Sequence, residues 1–543
     1  GLPPVYLLAG LVAPFALALT LARPDLAVTL YVVLVYADLL SILVRYAGLP
    51  PLARFAGLAL LLAVLGHRLL VRRESLVGDG ITWWMLAYGA MLALGLFYAR
   101  QPDLVITNLV EFGRNALTYI IIINSLTTRQ RLRRTVWALL GAGTFLAALT
   151  VFQVVTGQYE NEFGGLAQFR VSEIVDESDA PRPGGTLGDA NYYGQILLIL
   201  VPLGLYLMAE GRSFLARSAG LASAGLLTLA VIFTYSRGDA VALAVVLGAA
   251  LFYKRPRPGA ILAGAVALLL LFPLLPQSYF ARLSTLVSVV QGDRQTIYNE
   301  LSIRGRAGAT QAAIDMFLDN PLVGVGREHY PLYQLQYLRA SGLAYKAQGI
   351  PPHNLYLEVA AEHGLMGIIV LGGILLGSWR ALFEARRRFL RVGDRQGAEL
   401  AVWLAIAFLG YGVSALSLHG AFPAYLWLLV ALIVALRQVA RSASPDVLTP
   451  SLPSLVPLPA RRRGIVSSPD ASSQVRKGAL RSLIEQRMAE AGLVTPTGVD
   501  THSARLNVWL RAADDARRRG DLMTARALVD AVLARDPQNK RAW

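Results

Sequence analysis

Long apolar runs recur along most of this chain and constrain its fold more than any other feature. About thirteen runs, most of roughly 18 to 22 residues, are each long enough as a helix to cross about 30 Å of hydrocarbon. Lipid offers backbone polar groups no partner, so such segments are helices or a closed barrel, and continuous runs without alternation favour helices. The chain is 55% hydrophobic and 16% charged, with mean hydropathy +0.49. We expect an all-α polytopic membrane protein with about 12–14 transmembrane helices.

The predicted spans are separated by short polar connections. They cover residues 5–22, 26–46, 52–71, 81–98, 104–124, 135–156, 191–209, 218–235, 238–253, 259–275, 356–380, 398–419 and 422–440.

Basic residues cluster in alternate connections between these spans. They are Arg68, Arg72 and Arg73; Arg129, Arg131, Arg133 and Arg134; Arg212 and Arg217; Lys254, Arg255 and Arg257; and Arg386, Arg387, Arg388 and Arg391. One orientation places all of them in the cytoplasm, together with the tail that follows Arg437 and Arg441, as the positive-inside rule predicts. The net charge of +16 is thereby explained, and we expect no nucleic-acid partner.

Two long segments then fall on the outer side. Residues 157–190 are acidic, and residues 276–355 form a large loop of mixed charge in which we expect short helices. About thirteen spans with a cytoplasmic C-terminus would leave the N-terminus outside. A missing first helix or one miscounted span would instead place the N-terminus in the cytoplasm. The chain begins with glycine, not methionine, which is consistent with a missing first helix.

The composition changes after the last span. We expect residues 1–441 to form the transmembrane domain, residues 442–470 a flexible linker rich in Pro and Ser, and residues 471–543 a helical region. Within 506–543, Trp509, Gly520, Ala525 and Pro537 have tetratricopeptide-like spacing, and Trp543 repeats Trp509. One repeat cannot bury its own face, so we expect a cytoplasmic protein partner or further repeats. An unrelated amphipathic hairpin is the alternative.

Four polar stretches map to the outer side in the orientation chosen from charge. They are "GGTLGDANYYGQ" (184–195), "TYSRGDA" (234–240), "IRGRAGATQAAIDMFLDNPLVGVG" (303–326) and "PPHNLYLEVAAEHG" (351–364). Their common side indicates one functional site. The chain has no cysteine, which excludes disulfides and cysteine-based metal sites.

The arginines of these stretches admit two interpretations each. Arg237 lies between apolar spans, where a charge is costly and usually partnered or functional, but it could also snorkel or pair with Asp239. Arg304 and Arg306 precede an amphipathic stretch and could be ordinary loop arginines. The Gly-rich "NPLVGVG" that follows is weak evidence for phosphate binding.

His353 and Asn354 stand at the start of a predicted span. Asn354 is a good N-cap for a helix that begins at Leu355. A helix N-terminus disfavours an imidazolium, so we expect His353 to be neutral and able to act as a general base. Glu358 and Glu362, four residues apart, would orient this histidine or face a polar lumen. A simple cap without catalysis is the alternative.

Together the four stretches resemble the O-antigen ligase and polymerase superfamily. The resemblance rests on Gly-x-x-Gly-x-x-Asn ("GTLGDAN"), Ser-Arg-Gly ("YSRG"), an arginine about fifteen residues before Pro-Leu-x-Gly-x-Gly ("PLVGVG"), and His-Asn-x-x-Leu with a downstream Glu-x-Gly ("HNLYLEVAAEHG"). It covers roughly residues 180–380. Thr310 replaces an aromatic residue often found after the loop arginine, so Arg304 competes with Arg306. The tail is not part of a minimal ligase.

The resemblance implies a glycosyltransferase of the bacterial inner membrane with its active site on the outer face. Its donor would be a glycan on undecaprenyl diphosphate, and its acceptor a lipid or glycan hydroxyl deprotonated by His353. Arg237 and Arg306 (or Arg304) would hold the diphosphate, so neither metal nor cofactor is expected. Asp189, Asn191, Asn354 and Glu362 would support the site. Membrane lipids would surround the lipid tail in a groove between spans.

Several alternatives remain open at this point. A polymerase and a protein O-oligosaccharyltransferase share these motifs with a ligase. A polysaccharide or lipid flippase would more often show internal repeats and mid-membrane charges. A membrane scaffold would use the C-terminal repeat as its working part.

Overall fold

The computed structural model describes residues 22–46, 48, 56–71, 73–170, 182–259, 262, 264, 266, 301–340, 351–420, 424–443 and 529. The chain divides into two units, Gly1–Ser451 and Leu452–Trp543. The predicted linker and tetratricopeptide-like repeat lie outside the described residues, apart from the first two residues of the linker and residue 529. The predicted spans 5–22 and 259–275 also lie almost wholly outside them.

The described residues are helical except for short turns, loops and one pair of strands. The helices are α1 (Pro24–Tyr36), α2 (Leu39–Tyr46), α3 (Ala56–Gly66), α4 (Gly80–Tyr98), α5 (Pro102–Ser125), α6 (Arg129–Thr156), α7 (Ala190–Leu198), α8 (Val201–Glu210), α9 (Phe214–Phe233), α10 (Arg237–Lys254), α11 (Leu301–Asp319), α12 (Tyr330–Ala340), α13 (Leu355–Arg391), α14 (Arg395–Ser414) and α15 (Ala424–Ser442). A π-helical turn, His67–Val71, and a 3-10 turn, Phe163–Gly165, complete the helical elements. Strands β1 (Gln168–Arg170) and β2 (Arg182–Gly185) pair antiparallel.

The fold class is confirmed as an all-α polytopic membrane protein. Among the described residues, seven helices are long and apolar enough to cross a membrane, or up to eight if the bent pair α1–α2 is one span. The total of about 12–14 stays a prediction. The predicted span 26–46 is bent by 67° between α1 and α2, where Asp38 has a left-handed φ of 48°. The predicted span 191–209 is divided into α7 and α8 just before Pro202.

Helix α15 lies at the centre of the bundle. It is apolar on all sides, and its residues from Tyr425 to Leu436 are all buried, as expected for a helix surrounded by other helices. It packs against α5 and α13, and Trp427 contacts the rings of Tyr88 and Phe112. This rigid core fixes the long helix α13, at whose first residue the candidate site begins.

The basic connections gather at the end of the bundle where α13 ends. Arg129 pairs with Asp394 at 2.9 Å, just after that helix. Lys254 pairs with Glu210 at 2.8 Å and with Glu399 at 2.7 Å. His353 lies just before the N-terminal end of α13, at the opposite end of that helix. The bundle therefore separates a basic end from the end that carries the histidine, while the membrane side that each end faces stays a prediction.

Candidate functional site

The described part of the segment between α14 and α15, residues 415–420, brings the predicted stretches together. We call it the hub segment. The N–H of Leu355 donates to the carbonyl of Ala415 at 2.9 Å. The ring of His353 meets that of His419 edge-on, with centroids 4.9 Å apart. The hydroxyl of Tyr192 donates to the carbonyl of His419 at 2.6 Å.

The His-Asn stretch begins α13 as the sequence predicts. The side chain of Asn354 accepts from the N–H groups of Tyr356 and Leu357 at 3.0 and 3.1 Å, so its role as N-cap is confirmed. His353 itself has a left-handed φ of 46°, which is uncommon for a residue other than glycine. Asn354 fixes the helix start, and His353 is thereby held in one position beside the hub segment.

The Ser-Arg-Gly stretch begins α10 in a similar way. Ser236 caps the helix by accepting from the N–H of Asp239 at 3.3 Å, and Arg237 is its first residue. A Cβ on Gly238 would overlap the side chain of Ser417, so this glycine lets α10 approach the hub segment. The hydroxyl of Ser414 donates to Asp239 at 2.6 Å. Arg237 therefore stands at the same end of the bundle as His353.

The Gly-x-x-Gly-x-x-Asn stretch holds α7 in place. Asp189 caps α7 by accepting from the N–H groups of Asn191 and Tyr192 at 2.9 and 3.0 Å. Arg182 donates to Asn191 at 3.1 Å and to the carbonyl of Thr234 at 3.0 Å, which joins this stretch to the turn before Arg237. Asp189 and Asn191 are thus tied to the start of α7 and to the turn before Arg237, while their supporting role at the site stays a prediction. Arg182 is a link that the sequence analysis missed.

The Gly-rich turn docks on a break in α13. The N–H groups of Val325 and Gly326 donate to the carbonyls of Ala361 and Glu362 at 3.1 and 2.9 Å. Gly364 interrupts the helix with φ 59° and ψ −153°. These two N–H groups are already bonded within the chain, so they are not a cradle for phosphate.

Arg327, directly after this turn, was missed by the sequence analysis. Its guanidinium is 10% exposed and lies 3.6 Å from Glu358 and 3.7 Å from Glu362. Glu358 also accepts from the N–H of Gly420 at 2.5 Å, and Glu362 from the N–H of Tyr330 at 3.2 Å. Glu362 therefore joins the Gly-rich turn to α13. In the sequence, only its position next to "PLVGVG" could have identified Arg327 as part of the site.

Of the two loop arginines, Arg304 and Arg306, the structure describes the side chain of Arg306 alone. Arg306 is half-buried in α11. Its charge acts on both His353 and His419. The side chain of Arg304 lies outside the described part of the chain. Among the described side chains, Arg306 therefore lies close enough to the two histidines for its charge to act on them, and the choice between Arg304 and Arg306 stays a prediction.

The two histidines are held in their neutral forms. Burial lowers the pKa of His353 to about 3, with smaller contributions from His419 and Arg306. Burial also lowers the pKa of His419 to about 4, against the opposing effect of Asp189. The neutral His353 agrees with the sequence prediction, but the main cause is burial and not the helix N-terminus.

A cavity of about 1600 Å³ opens beside the hub segment. Its polar wall includes Tyr192, Arg327, Glu358, Glu362 and His419, and the described lining does not include His353. The rest of the lining comes from α1, α2, α3 and α5 and is mixed. It includes the apolar residues Leu34, Val35, Val44, Leu58, Ile106 and Val110 and the charged residues Asp38, Arg45, Glu111 and Arg114. A cavity lined by both polar and apolar residues suits an amphipathic ligand.

Comparison with known families gave a match. Residues 222–372 match the family model of O-antigen ligase. That segment contains Arg237, Arg306 and His353, whereas the hub segment and "GTLGDAN" lie outside it. A comparison with curated proteins gave no match. Residues 222–372 of this membrane protein are therefore similar to the O-antigen ligase family.

Proposed function

We propose that the chain transfers a glycan from undecaprenyl diphosphate to an acceptor hydroxyl at the outer face of the bacterial inner membrane. One observation carries the proposal. A half-buried, neutral His353 stands with Arg306 and His419 at the end of the bundle opposite the basic connections. The ligand would occupy the adjoining cavity, with its lipid tail along the apolar residues of α1, α2, α3 and α5.

In this mechanism His353 removes the proton of the acceptor hydroxyl. The acceptor oxygen forms a bond to the anomeric carbon of the donor, and the bond from that carbon to the diphosphate oxygen breaks. Undecaprenyl diphosphate departs with the electron pair. A single displacement inverts the configuration at that carbon.

Arg237 and Arg306 would hold the diphosphate. Negative charge grows on the leaving oxygens, and fixed guanidinium groups stabilise it most where water is excluded. An arginine keeps its charge and binds two phosphate oxygens at once. The mechanism therefore requires no metal ion or cofactor.

Donor binding would also activate the base. The pKa of His353, about 3, is lower than suits a general base near neutral pH. A bound diphosphate would place negative charge beside Arg306 and oppose its effect on the imidazole, which raises the pKa of His353. The acceptor would then be deprotonated only when the donor is in place.

A polymerase is the second candidate. The cavity of about 1600 Å³ exceeds the roughly 300–1,000 Å³ of ordinary ligand pockets and has room for a second glycan chain. In that case the acceptor would itself be a lipid-linked glycan. A protein O-oligosaccharyltransferase would use the same donor with a protein hydroxyl.

Transfer by the purified full chain in liposomes tests the proposal. A labelled glycan on undecaprenyl diphosphate is offered with three acceptors: a glycolipid, a second lipid-linked glycan and a protein. We expect product with one of them and a loss of about 10²–10⁴-fold in His353→Ala. His67→Ala, within the π-helical turn, is the matched control. Transfer by a well-folded His353→Ala at the wild-type rate would overturn the assignment of the base.

Deletion of residues 442–543 separates an enzyme from a scaffold. We expect the truncated chain to retain its turnover, because the site lies before residue 442. Loss of all turnover in a well-folded truncation would give the C-terminal region a part in catalysis.

A further inference from the structure

His419 lies in the hub segment and belongs to none of the recognised motifs. Its ring is fixed from two directions. On one side the His353 ring stands at 86° to it, with centroids 4.9 Å apart. On the other side the Tyr192 ring stands at 68°, with centroids 5.5 Å apart, while the Tyr192 hydroxyl binds the carbonyl of His419.

His419 also stands closer to the cavity than His353 does. His419 and the next residue, Gly420, line the cavity, whereas His353 is absent from its described lining. Pro351 and Pro352 line it just before His353 in the chain. A ligand in the cavity therefore reaches His419 before His353.

Each ring of the pair has one buried nitrogen atom that is unpartnered among the described residues. Nδ1 of His353 and Nδ1 of His419 are both buried, and neither has a hydrogen-bond partner in the described part of the chain. A buried polar atom without a partner is costly and calls for an explanation such as a ligand or a catalytic role. Two imidazoles this close also share at most one proton, because two adjacent positive charges repel.

We propose that His419 is the acceptor-facing member of a histidine pair: it hydrogen-bonds the acceptor hydroxyl in the cavity, and with His353 it receives the proton released from that hydroxyl. The acceptor O–H bond breaks and one N–H bond forms within the pair. After undecaprenyl diphosphate has left, the proton passes to water in the cavity. The inference rests on the proposed glycan transfer and adds to it the residue that binds the acceptor.

The test compares three substitutions of His419 in the full-length protein. His419→Phe keeps a ring between His353 and Tyr192, His419→Gln keeps a hydrogen-bonding group that cannot take the proton, and His419→Ala removes both. Steady-state rates are measured against acceptor concentration, and binding of the undecaprenyl diphosphate donor is measured separately. His67→Gln is the control at the basic end of the bundle.

We expect His419→Phe and His419→Ala to raise the KM for the acceptor and to lower kcat by about 10²-fold, a typical contribution of acid–base catalysis. His419→Gln should recover most of the acceptor KM while kcat stays low. Donor binding should remain within about twofold of the wild type in all three, because the arginines are assigned to the diphosphate.

The results separate this inference from the proposed function. Wild-type kinetics in His419→Phe, combined with loss of transfer in His353→Ala, would overturn the histidine pair and leave the glycosyltransferase in place. A parallel loss of donor binding in His419→Phe would mean that His419 serves structure alone, and would overturn the pair as well. A wild-type protein that transfers from no lipid diphosphate donor would overturn both.

Discussion

The two ends of α13 carry mirror-image charge clusters. At the histidine end, one guanidinium, Arg327, faces the carboxylates of Glu328, Glu358 and Glu362 at 3.6–3.8 Å. At the basic end, one carboxylate, Glu384, faces the guanidiniums of Arg388, Arg437 and Arg441 at 2.8–3.7 Å. The charges are reversed, and so is the degree of exposure.

The difference lies in burial and in the quality of the contacts. Arg327, Glu358 and Glu362 have side chains that are 10%, 7% and 1% exposed, yet Nη1 of Arg327 and Oε2 of Glu362 have no hydrogen bond within the described residues. Glu384 is 23% exposed and accepts short bonds of 2.8–2.9 Å from Arg441 and Arg388. A buried ion cluster with long contacts recovers little of its desolvation cost. The cluster at the histidine end therefore stabilises the fold little, although it lines the cavity. The cluster at the basic end stabilises the terminus of α13.

The largest expected effect is on the free energy of unfolding, which should fall much more when the cluster at the histidine end loses its arginine than when the cluster at the basic end loses one. Arg327→Met leaves Glu358 and Glu362 buried without a counter-charge, so we expect it to cost about 3–5 kcal/mol of the free energy of unfolding. Arg388→Met at the basic end should cost less than about 1 kcal/mol, because Arg441 still binds Glu384 and solvent screens the site. Denaturant unfolding in detergent micelles measures both.

A double substitution checks the cause. Adding Glu362→Gln to Arg327→Met removes one of the stranded charges and should restore part of the lost stability. Equal costs for Arg327→Met and Arg388→Met would remove the distinction between the two ends.

The local features of the site could be predicted from sequence, whereas its long-range contacts could not. The N-cap at Asn354 depends on residues 354–357, and the caps and motifs identify His353 and Arg237 with the stretch of chain around each. His419 and Arg327 are single residues without a pattern, and only the approach of α7, α10, α13 and α14 shows their neighbours. The bend at Asp38 was missed because a left-handed aspartate has no sequence signature within an apolar run.

The second prediction concerns pH and the two buried histidines. In the folded protein the pKa values of His353 and His419 are about 3 and 4, below about 6.5 in an unfolded chain. As the pH falls below 6.5, the unfolded state takes up protons that the folded state does not bind, so stability falls. Between pH 6.5 and 5 each histidine should cost about 2 kcal/mol of unfolding free energy.

Thermal unfolding at several pH values measures this slope. His353→Gln and His419→Gln should each flatten it. An identical slope in the wild type and in the His353→Gln, His419→Gln double variant would show that these histidines are not buried as neutral groups.

The third prediction compares the effects of Arg304 and Arg306, both in α11, on the rate of glycan transfer. Arg306→Lys should lower the rate of glycan transfer about tenfold, because a point charge replaces a group that binds two phosphate oxygens. Arg304→Lys is the matched control and should change the rate less than about twofold. A larger loss of rate in Arg304→Lys than in Arg306→Lys would assign diphosphate binding to Arg304.

Arg237→Lys should lower the rate of glycan transfer as much as Arg306→Lys does. Wild-type activity in Arg237→Lys would favour simple snorkelling of Arg237.

The smallest effect compares left-handed residues at the two ends of the bundle. His353 and Arg255 both have φ of 46°, and Arg255 is the C-cap of α10 at the basic end. A left-handed residue other than glycine costs about 1–2 kcal/mol, so Arg255→Gly should raise the thermal midpoint and leave transfer unchanged. His353→Gly should gain less stability, because the buried ring is lost, and should abolish transfer. A gain of stability in Arg255→Gly with unchanged transfer would show that the backbone strain at the basic end is dispensable for function, unlike the side chain of His353 at the other end. Loss of activity in Arg255→Gly would contradict this division.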